Sequence, residues 1–381
     1  MNLLLVCGGS AGHINPAIAI AEEIQDRSPE SNILFVGADK TLEKRLVPAA
    51  GFRLVNIKMS GLRRGISPRD LLHNLKTAKN LVAAGYKSGK ILKEFDPNVV
   101  IGTGGYICYP VLKKAASSGI PTYILEPNAY PGLAVRMLSG IVDKVFVTYQ
   151  GLENRYKKPE SVIYTGTPLR NEFFRDDAPM AGISAQDQKP LVLSYWGSLG
   201  ATVMNEKILG FMKRNIKENK FRHIHATGVS SSAETMKKQL LDICITETGA
   251  PEDNCSRSVE IREYIDDMPL LMKEADIVIS RAGASTIAEL TALGKPAILI
   301  PSPNVTENHQ ESNARQLQAA GGAVMILEKD CTGDILFDTV ASILEDRKMI
   351  VGMSNALKLL AVKDAAAKIA EIVIGEHVPN C

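Results

Sequence analysis

The chain has 381 residues, 45% of them hydrophobic and 23% charged, with a formal net charge of +2. That length exceeds what one ordinary core fills and suits two domains of a soluble globular enzyme, and so small a net charge excludes a global field for nucleic acid. Six scattered cysteines (Cys7, Cys108, Cys244, Cys255, Cys331, Cys381) show no CxxC spacing and no Cys/His cluster, so reduced thiols in a cytosolic setting are expected and a metal site is not.

The chain opens on a strand-like run, Leu3 to Val6, followed by Gly8-Gly9. No signal peptide is expected, and no apolar run approaches the ~18 residues that a membrane span needs. Strand-like segments then recur at Ile33–Val36, Val99–Ile101, Thr122–Leu125, Lys144–Val147 and Ser161–Tyr164, with helix-like segments between them. A second series runs through Leu191–Tyr195, His223–Ala226, Val259–Arg262, Ile277–Ser280, Ala297–Ile300 and Ala323–Ile326. Gly166-Thr167-Pro168 and the polar stretch from Arg175 to Lys189 separate the two. Such alternation predicts an α/β chain of two doubly wound, Rossmann-like parallel sheets facing across a cleft, with ligands outside the carboxyl ends of the strands.

One device repeats in both halves: a strand, a glycine turn and a helix. It occurs at Gly8 to His13, at Gly102 to Tyr106 and at Trp196 to Ala201. Glycine lets backbone N–H groups approach a phosphate closely, although tight strand-helix packing selects glycine too. None of these loops has the GxGxxG or Walker spacing, which removes most support for dehydrogenase and P-loop readings. The richest stretch is Arg281 to Asn313, RAGASTIAELTALGKPAILIPSPNVTENHQESN. There a strand meets a small-residue turn and a helix whose N-terminus would attract phosphate. Glu289, one turn in, could accept hydrogen bonds from a ribose diol, and Gly294-Lys295-Pro296 ends the helix.

These motifs together resemble the MurG family of bacterial GT-B glycosyltransferases along nearly the whole chain. GGSAGHINPA is similar to the family's GGTGGHxxPA, GTGGYICYP to its GxGGYxxxP, and PNAYPGLAVR to its QNxxPGxxNR; TGTPLR, WGSLGA, YIDDM, RAGAST and ENHQESNA follow in family order. The resemblance implies transfer of GlcNAc from UDP-GlcNAc to lipid I, the undecaprenyl-linked acceptor, to give lipid II with inversion, and no cofactor. It also implies an acceptor-side, membrane-facing domain over 1–166, a hinge and linker over 167–189, a UDP-GlcNAc-binding domain over 190–354, and a terminal helix over 355–381 crossing back. The alternatives are a UDP-GlcNAc 2-epimerase and a glycosyltransferase acting on another lipid.

The resemblance implies roles for individual residues. Ile265 would read the uracil edge, Glu289 hold the ribose, and Ala284, Ser285, Thr286 and Ile287 supply backbone donors. Ser198 and Arg170 would neutralise the diphosphate, and Gln310 and Asn128 would bind sugar hydroxyls. Ser10, Ala11 and Gly12 would line the donor side, while Gly104, Gly105 and Tyr106 would cradle the acceptor. Proton removal from the acceptor falls to His13, whose ordinary pKa lies near working pH, with Glu126 the other candidate base. Leu125 and Pro127 replace the His and Gln of the family's HEQN, and Trp196 and Leu199 replace the Gly and Gln of its GGSQGA.

Between Lys58 and Lys93, Lys58, Arg63, Arg64, Arg69, Lys76, Lys79, Lys87, Lys90 and Lys93 are interleaved with Leu62, Leu71, Leu72, Leu75, Leu81 and Val82. That pattern suits a solvated helix face or a basic amphipathic surface on anionic lipid; the polyprenyl-linked acceptor that the resemblance implies favours the second, with peripheral attachment at the cytoplasmic face of the plasma membrane. Ala356 to Val373 has the spacing of one helix.

Overall fold

Leu3 to Cys7 are wholly buried, so the first strand is covered on both faces, and its unbroken apolar run is what parallel sheets between helix layers require. The computed structural model describes residues 1–39, 41–61, 67–175, 189–248, 258–305 and 308–377. Linker residues 176–188, and Leu62, Arg63, Arg64, Cys255 and Cys381, lie outside that set. The chain divides into two units, Met1–Asn171 with Val362–Cys381, and Glu172–Ala361.

The first unit holds β1 (Asn2–Cys7), β2 (Asn32–Ala38), β3 (Arg53–Ile57), β4 (Val99–Gly104), β5 (Thr122–Glu126), β6 (Lys144–Val147) and β7 (Val162–Tyr164). All pair in parallel, in the order β3-β2-β1-β4-β5-β6-β7. Leu3 stands opposite Ile33 on one side and Val99 on the other. Strand order therefore reverses between β1 and β4, the place where ligands gather at the carboxyl ends of such sheets. The strand β3 was not expected from sequence. It is an edge strand on β2 with an exposed Arg53 and only partly buried Leu54, Val55 and Asn56, so it lacks a continuous apolar run.

The pattern from Ala356 to Val373 is not one helix. It is split between Arg347–Leu359, in the second unit, and Ala365–His377, in the first. The latter packs on the helix Ala11–Arg27. Its end is pinned to the sheet, because the Tyr123 hydroxyl donates to Glu376 and lies 2.8 Å from His377 Nε2. Lys144 pairs with Glu376 at 2.7 Å.

The second unit holds β8 (Leu191–Tyr195), β9 (Arg222–Ala226), β10 (Val259–Arg262), β11 (Ile277–Ser280), β12 (Ala297–Leu299) and β13 (Ala323–Met325). Their order is β10-β9-β8-β11-β12-β13, again all parallel, with the reversal between β8 and β11. Phe211, Phe221 and Phe337 pack together below it, with ring centroids 5.3 to 6.3 Å apart.

A polar chain crosses this core. Ser194 Oγ lies 2.7 Å from both His223 Nε2 and His225 Nδ1, and His225 Nε2 lies 3.2 Å from Asn205 Oδ1. Burial pushes His223 well below its ordinary value and His225 to about 3. Both are therefore neutral when folded, whereas the unfolded chain protonates them below pH 6.5, the ordinary histidine value. Stability thus rises with pH in this window and is lost on acidification, by up to about 1.4 kcal/mol per pH unit per histidine. Urea midpoints measured from pH 7 to 4 should fall steadily, and His225→Asn should flatten that slope.

Cys7, Cys108 and Cys331 are free and buried, and burial pushes the Cys108 thiol up to about 12, which makes it unreactive. Cys244 is disulfide-bonded, contrary to the expectation of reduced thiols throughout; no CxxC spacing announced it. Among the described residues no helix is long and apolar enough to cross a membrane.

Candidate active site

Three loops leave the carboxyl edge of the first sheet from neighbouring strands: Gly8 to His13 after β1, Gly104 to Tyr106 after β4, and Pro127 to Gly132 after β5. Ser10 caps the helix Ala11–Arg27 without a side-chain bond, its carbonyl accepting from His13 N at 3.1 Å and Ile14 N at 3.2 Å. Ala11, Gly12 and His13 form the first turn. The His13 carbonyl accepts from Thr103 Oγ1 at 2.6 Å, which ties the first loop to β4. Gly104 and Gly105 have φ of 121° and 89°, a region costly for any residue with a Cβ. A Cβ on Gly104 would lie 2.2 Å from His13 Nδ1, and one on Gly105 2.2 Å from the Gly8 carbonyl oxygen. These glycines let one loop lie directly against the other. The Tyr106 ring lies beside Gly61 and Gly9.

His13 is half-buried, and its Nδ1 has no hydrogen-bond partner among the described residues. Burial lowers its pKa below 6.5, so the imidazole is neutral at neutral pH and able to take a proton. Glu126 is differently placed. Its Oε1 accepts from the Asn128 backbone N and side-chain Nδ2, both at 2.9 Å, and its Oε2 accepts from Gly132 N at 2.9 Å. Burial raises its pKa while those bonds lower it. With both oxygens holding its own loop in shape, Glu126 is less suited than His13 to accept a proton.

In the second unit the equivalent loops follow β8 and β11, again at the strand-order reversal. The loop carrying Ser198 is tied to the next one by Val229 N to Ser198 O and Ser230 N to Leu199 O, both 3.1 Å. The helix Ala284–Leu293 starts after Gly283 and ends at Gly294, whose φ is 62°. Ala284, Ile287 and Glu289 are buried, and Ser285 and Thr286 half-buried, in its first turns. Arg281 turns inward: Nη1 donates to the carbonyls of Ile300 at 3.1 Å and Pro301 at 3.2 Å, and Nη2 pairs with Glu328. Asn313 Nδ2 donates to Ala282 O at 3.0 Å. Gln310 Oε1 accepts from Ser302 N at 2.9 Å. Ile265 is buried just beyond β10. Arg170 falls in the first unit, near its end.

Residues 3–147 match the N-terminal domain of glycosyltransferase family 28, and residues 192–369 its C-terminal domain. A relative from Acetivibrio thermocellus is named UDP-N-acetylglucosamine–N-acetylmuramyl-(pentapeptide) pyrophosphoryl-undecaprenol N-acetylglucosamine transferase. It is 40% identical over 98% of this chain and 97% of its own length. The chain belongs to this transferase family, the MurG family.

A crystal structure of Acinetobacter baumannii MurG shares the fold, with a TM-score of 0.68 at 21% identity, covering 98% of this chain and 99% of that one. So does a UDP-N-acetylglucosamine 2-epimerase, at 0.69 and 14% identity, covering 100% of this chain and 97% of that one; at such identity the likeness is one of fold alone. Against the MurG family pattern, Leu125 is wholly buried and can take no part in proton transfer. Trp196 lies in the core of the second unit, its ring centroid 6.0 Å from that of His225, and its Nε1 has no hydrogen-bond partner among the described residues. Sequence reasoning missed Thr103, Arg281 and Asn313 as supports of the loops. Their partners lie far along the chain, and no local spacing marks them.

Proposed function

We propose that this chain transfers GlcNAc from UDP-GlcNAc to the MurNAc 4-hydroxyl of lipid I, giving lipid II with inversion. The observation that carries this reading is the 40% identity to a transferase of that name over 98% of the chain, spanning both units. The acceptor oxygen attacks C1 of the donor sugar while its proton passes to the neutral His13 imidazole. The bond from C1 to the β-phosphate oxygen breaks on the opposite face, and UDP leaves with the electron pair. Charge on the departing diphosphate is met by the N-terminus of the helix Ala284–Leu293, by Ser198 and by the Arg170 guanidinium. Glu289 holds the ribose, Ile265 the uracil edge, and Gln310 and Asn128 the sugar hydroxyls. Ser10, Ala11 and Gly12 line the donor side, and Gly104, Gly105 and Tyr106 receive the acceptor. The anomeric proton of the product, read by NMR, should show a β-linkage; an α-linkage would exclude single displacement.

Because the acceptor carries a polyprenyl chain, the membrane surface belongs to the same reading. Leu71, Leu72, Leu75, Val82 and Tyr86 are 64 to 84% exposed on the helix Pro68–Phe95. Lys76, Lys79, Lys87, Lys90 and Lys93 are exposed on the same helix. A groove of about 890 Å³ runs between this helix and Cys108–Ser117, lined by Leu81, Val82, Tyr86 and Tyr109 with Lys90 and Lys113. Apolar side chains among cations suit an anionic bilayer, each well-placed cation contributing about 1 kcal/mol. Replacing Lys76, Lys79 and Lys93 together by alanine should weaken sedimentation with phosphatidylglycerol vesicles by roughly 10²-fold and leave binding of free UDP unchanged.

A further inference from the structure

Glu43 is wholly buried, an uncommon place for a carboxylate. It projects from the helix Thr41–Ala49, and its Oε1 accepts the Gly9 N–H at 2.8 Å. The neighbouring backbone makes room for it. A Cβ on Gly8 would lie 2.9 Å from Glu43 Oε1, and one on Gly37 3.2 Å from Glu43 Cγ. Its Oε2 has no hydrogen-bond partner among the described residues. Burying a carboxylate with one oxygen unsatisfied is costly, and packing alone would favour a leucine there.

What the cost secures is the loop between β1 and the helix Ala11–Arg27. On its other side, the Gly8 carbonyl lies against Gly105, and Thr103 Oγ1 donates to the His13 carbonyl at 2.6 Å. The turn is thus held by a carboxylate on one side and by the β4 loop on the other, and it leads directly to His13. We propose that Glu43 is a positioning residue for glycosyl transfer, its bond to Gly9 N–H fixing the turn that sets the His13 imidazole against the acceptor hydroxyl. This rests on the reading of His13 as the base.

The test compares Glu43→Gln, which keeps an acceptor oxygen at full reach, with Glu43→Asp, which keeps the carboxyl group but is one methylene too short. Each is measured with UDP-GlcNAc and a short-chain lipid I analogue, beside His13→Ala and the double variant Glu43→Asp/His13→Ala. Glu43→Gln should keep kcat within about threefold, and Glu43→Asp should lower it roughly 10²-fold, since small misplacements of a catalytic group cost that much. KM for UDP-GlcNAc should stay constant in both. The double variant should be no slower than His13→Ala alone, because a support of His13 has nothing left to support. Normal kcat in Glu43→Asp, equal losses in Glu43→Gln and Glu43→Asp, or multiplied losses in the double variant would overturn the proposal. Normal turnover in His13→Ala would overturn the base reading instead, whatever Glu43 does.

Discussion

Replacing His13 with alanine should lower kcat by about 10²- to 10⁴-fold, the range that a positioned general base contributes, and leave KM for UDP-GlcNAc near its parent value. The split follows from the role. A group that takes a proton only as the acceptor attacks contributes nothing to donor binding, so its loss appears in the chemical step. The pH dependence gives a second readout. Burial holds His13 below 6.5, so the parent rate should stay level as pH falls to the ordinary histidine range and decline only beneath it, as the imidazole protonates. That acid limb should be absent from His13→Ala. Stopped assays with radiolabelled donor across pH 5 to 8 measure both; an unchanged kcat, or an acid limb that survives the substitution, would remove His13 from proton transfer.

Arg281→Met should destabilise the second unit by about 3 kcal/mol. Methionine replaces the apolar stem but none of the donors, leaving the Ile300 and Pro301 carbonyls unpaired and the Glu328 carboxylate without its cation. Breaking a buried pair from one side typically costs 3 to 5 kcal/mol. The lower end applies because the Arg281 and Glu328 side chains keep 10% and 18% exposure. Donor binding should weaken as well, since Arg281 ties the loop after β11, where the helix Ala284–Leu293 begins, to the loop after β12. Urea unfolding followed by circular dichroism, with UDP binding by calorimetry, checks both. Parent-like stability with lost UDP binding would instead make Arg281 a direct phosphate ligand.

The contrast between Arg281 and Glu289 shows what was legible in the sequence. The strand, the turn, the helix and its Gly294 end could be read from local composition, because propensity and capping act over a few residues. The direction of the Arg281 side chain could not, because Ile300, Pro301 and Glu328 come to it only through the pairing of β11 with β12 and the chain beyond. Glu43 is the same case: Gly9 is 34 residues away, and nothing near Glu43 marks it as buried. In sequence the glycine loops suit either a phosphate or tight packing, and the structure shows Gly104 and Gly105 required by the first loop lying against them. Strands covered on both faces announced themselves as apolar runs; β3, half-exposed at an edge, did not. The break between the last two helices also escaped, since the spacing of apolar residues runs on across it.

The measurement that bears most directly on the central claim is incubation of the purified chain with radiolabelled UDP-GlcNAc and a short-chain lipid I analogue, beside a control without acceptor. The account predicts label in the lipid product, dependent on acceptor and matched by release of UDP. Label appearing as ManNAc with UDP in the absence of acceptor would contradict it, as would tight UDP-GlcNAc binding with no transfer.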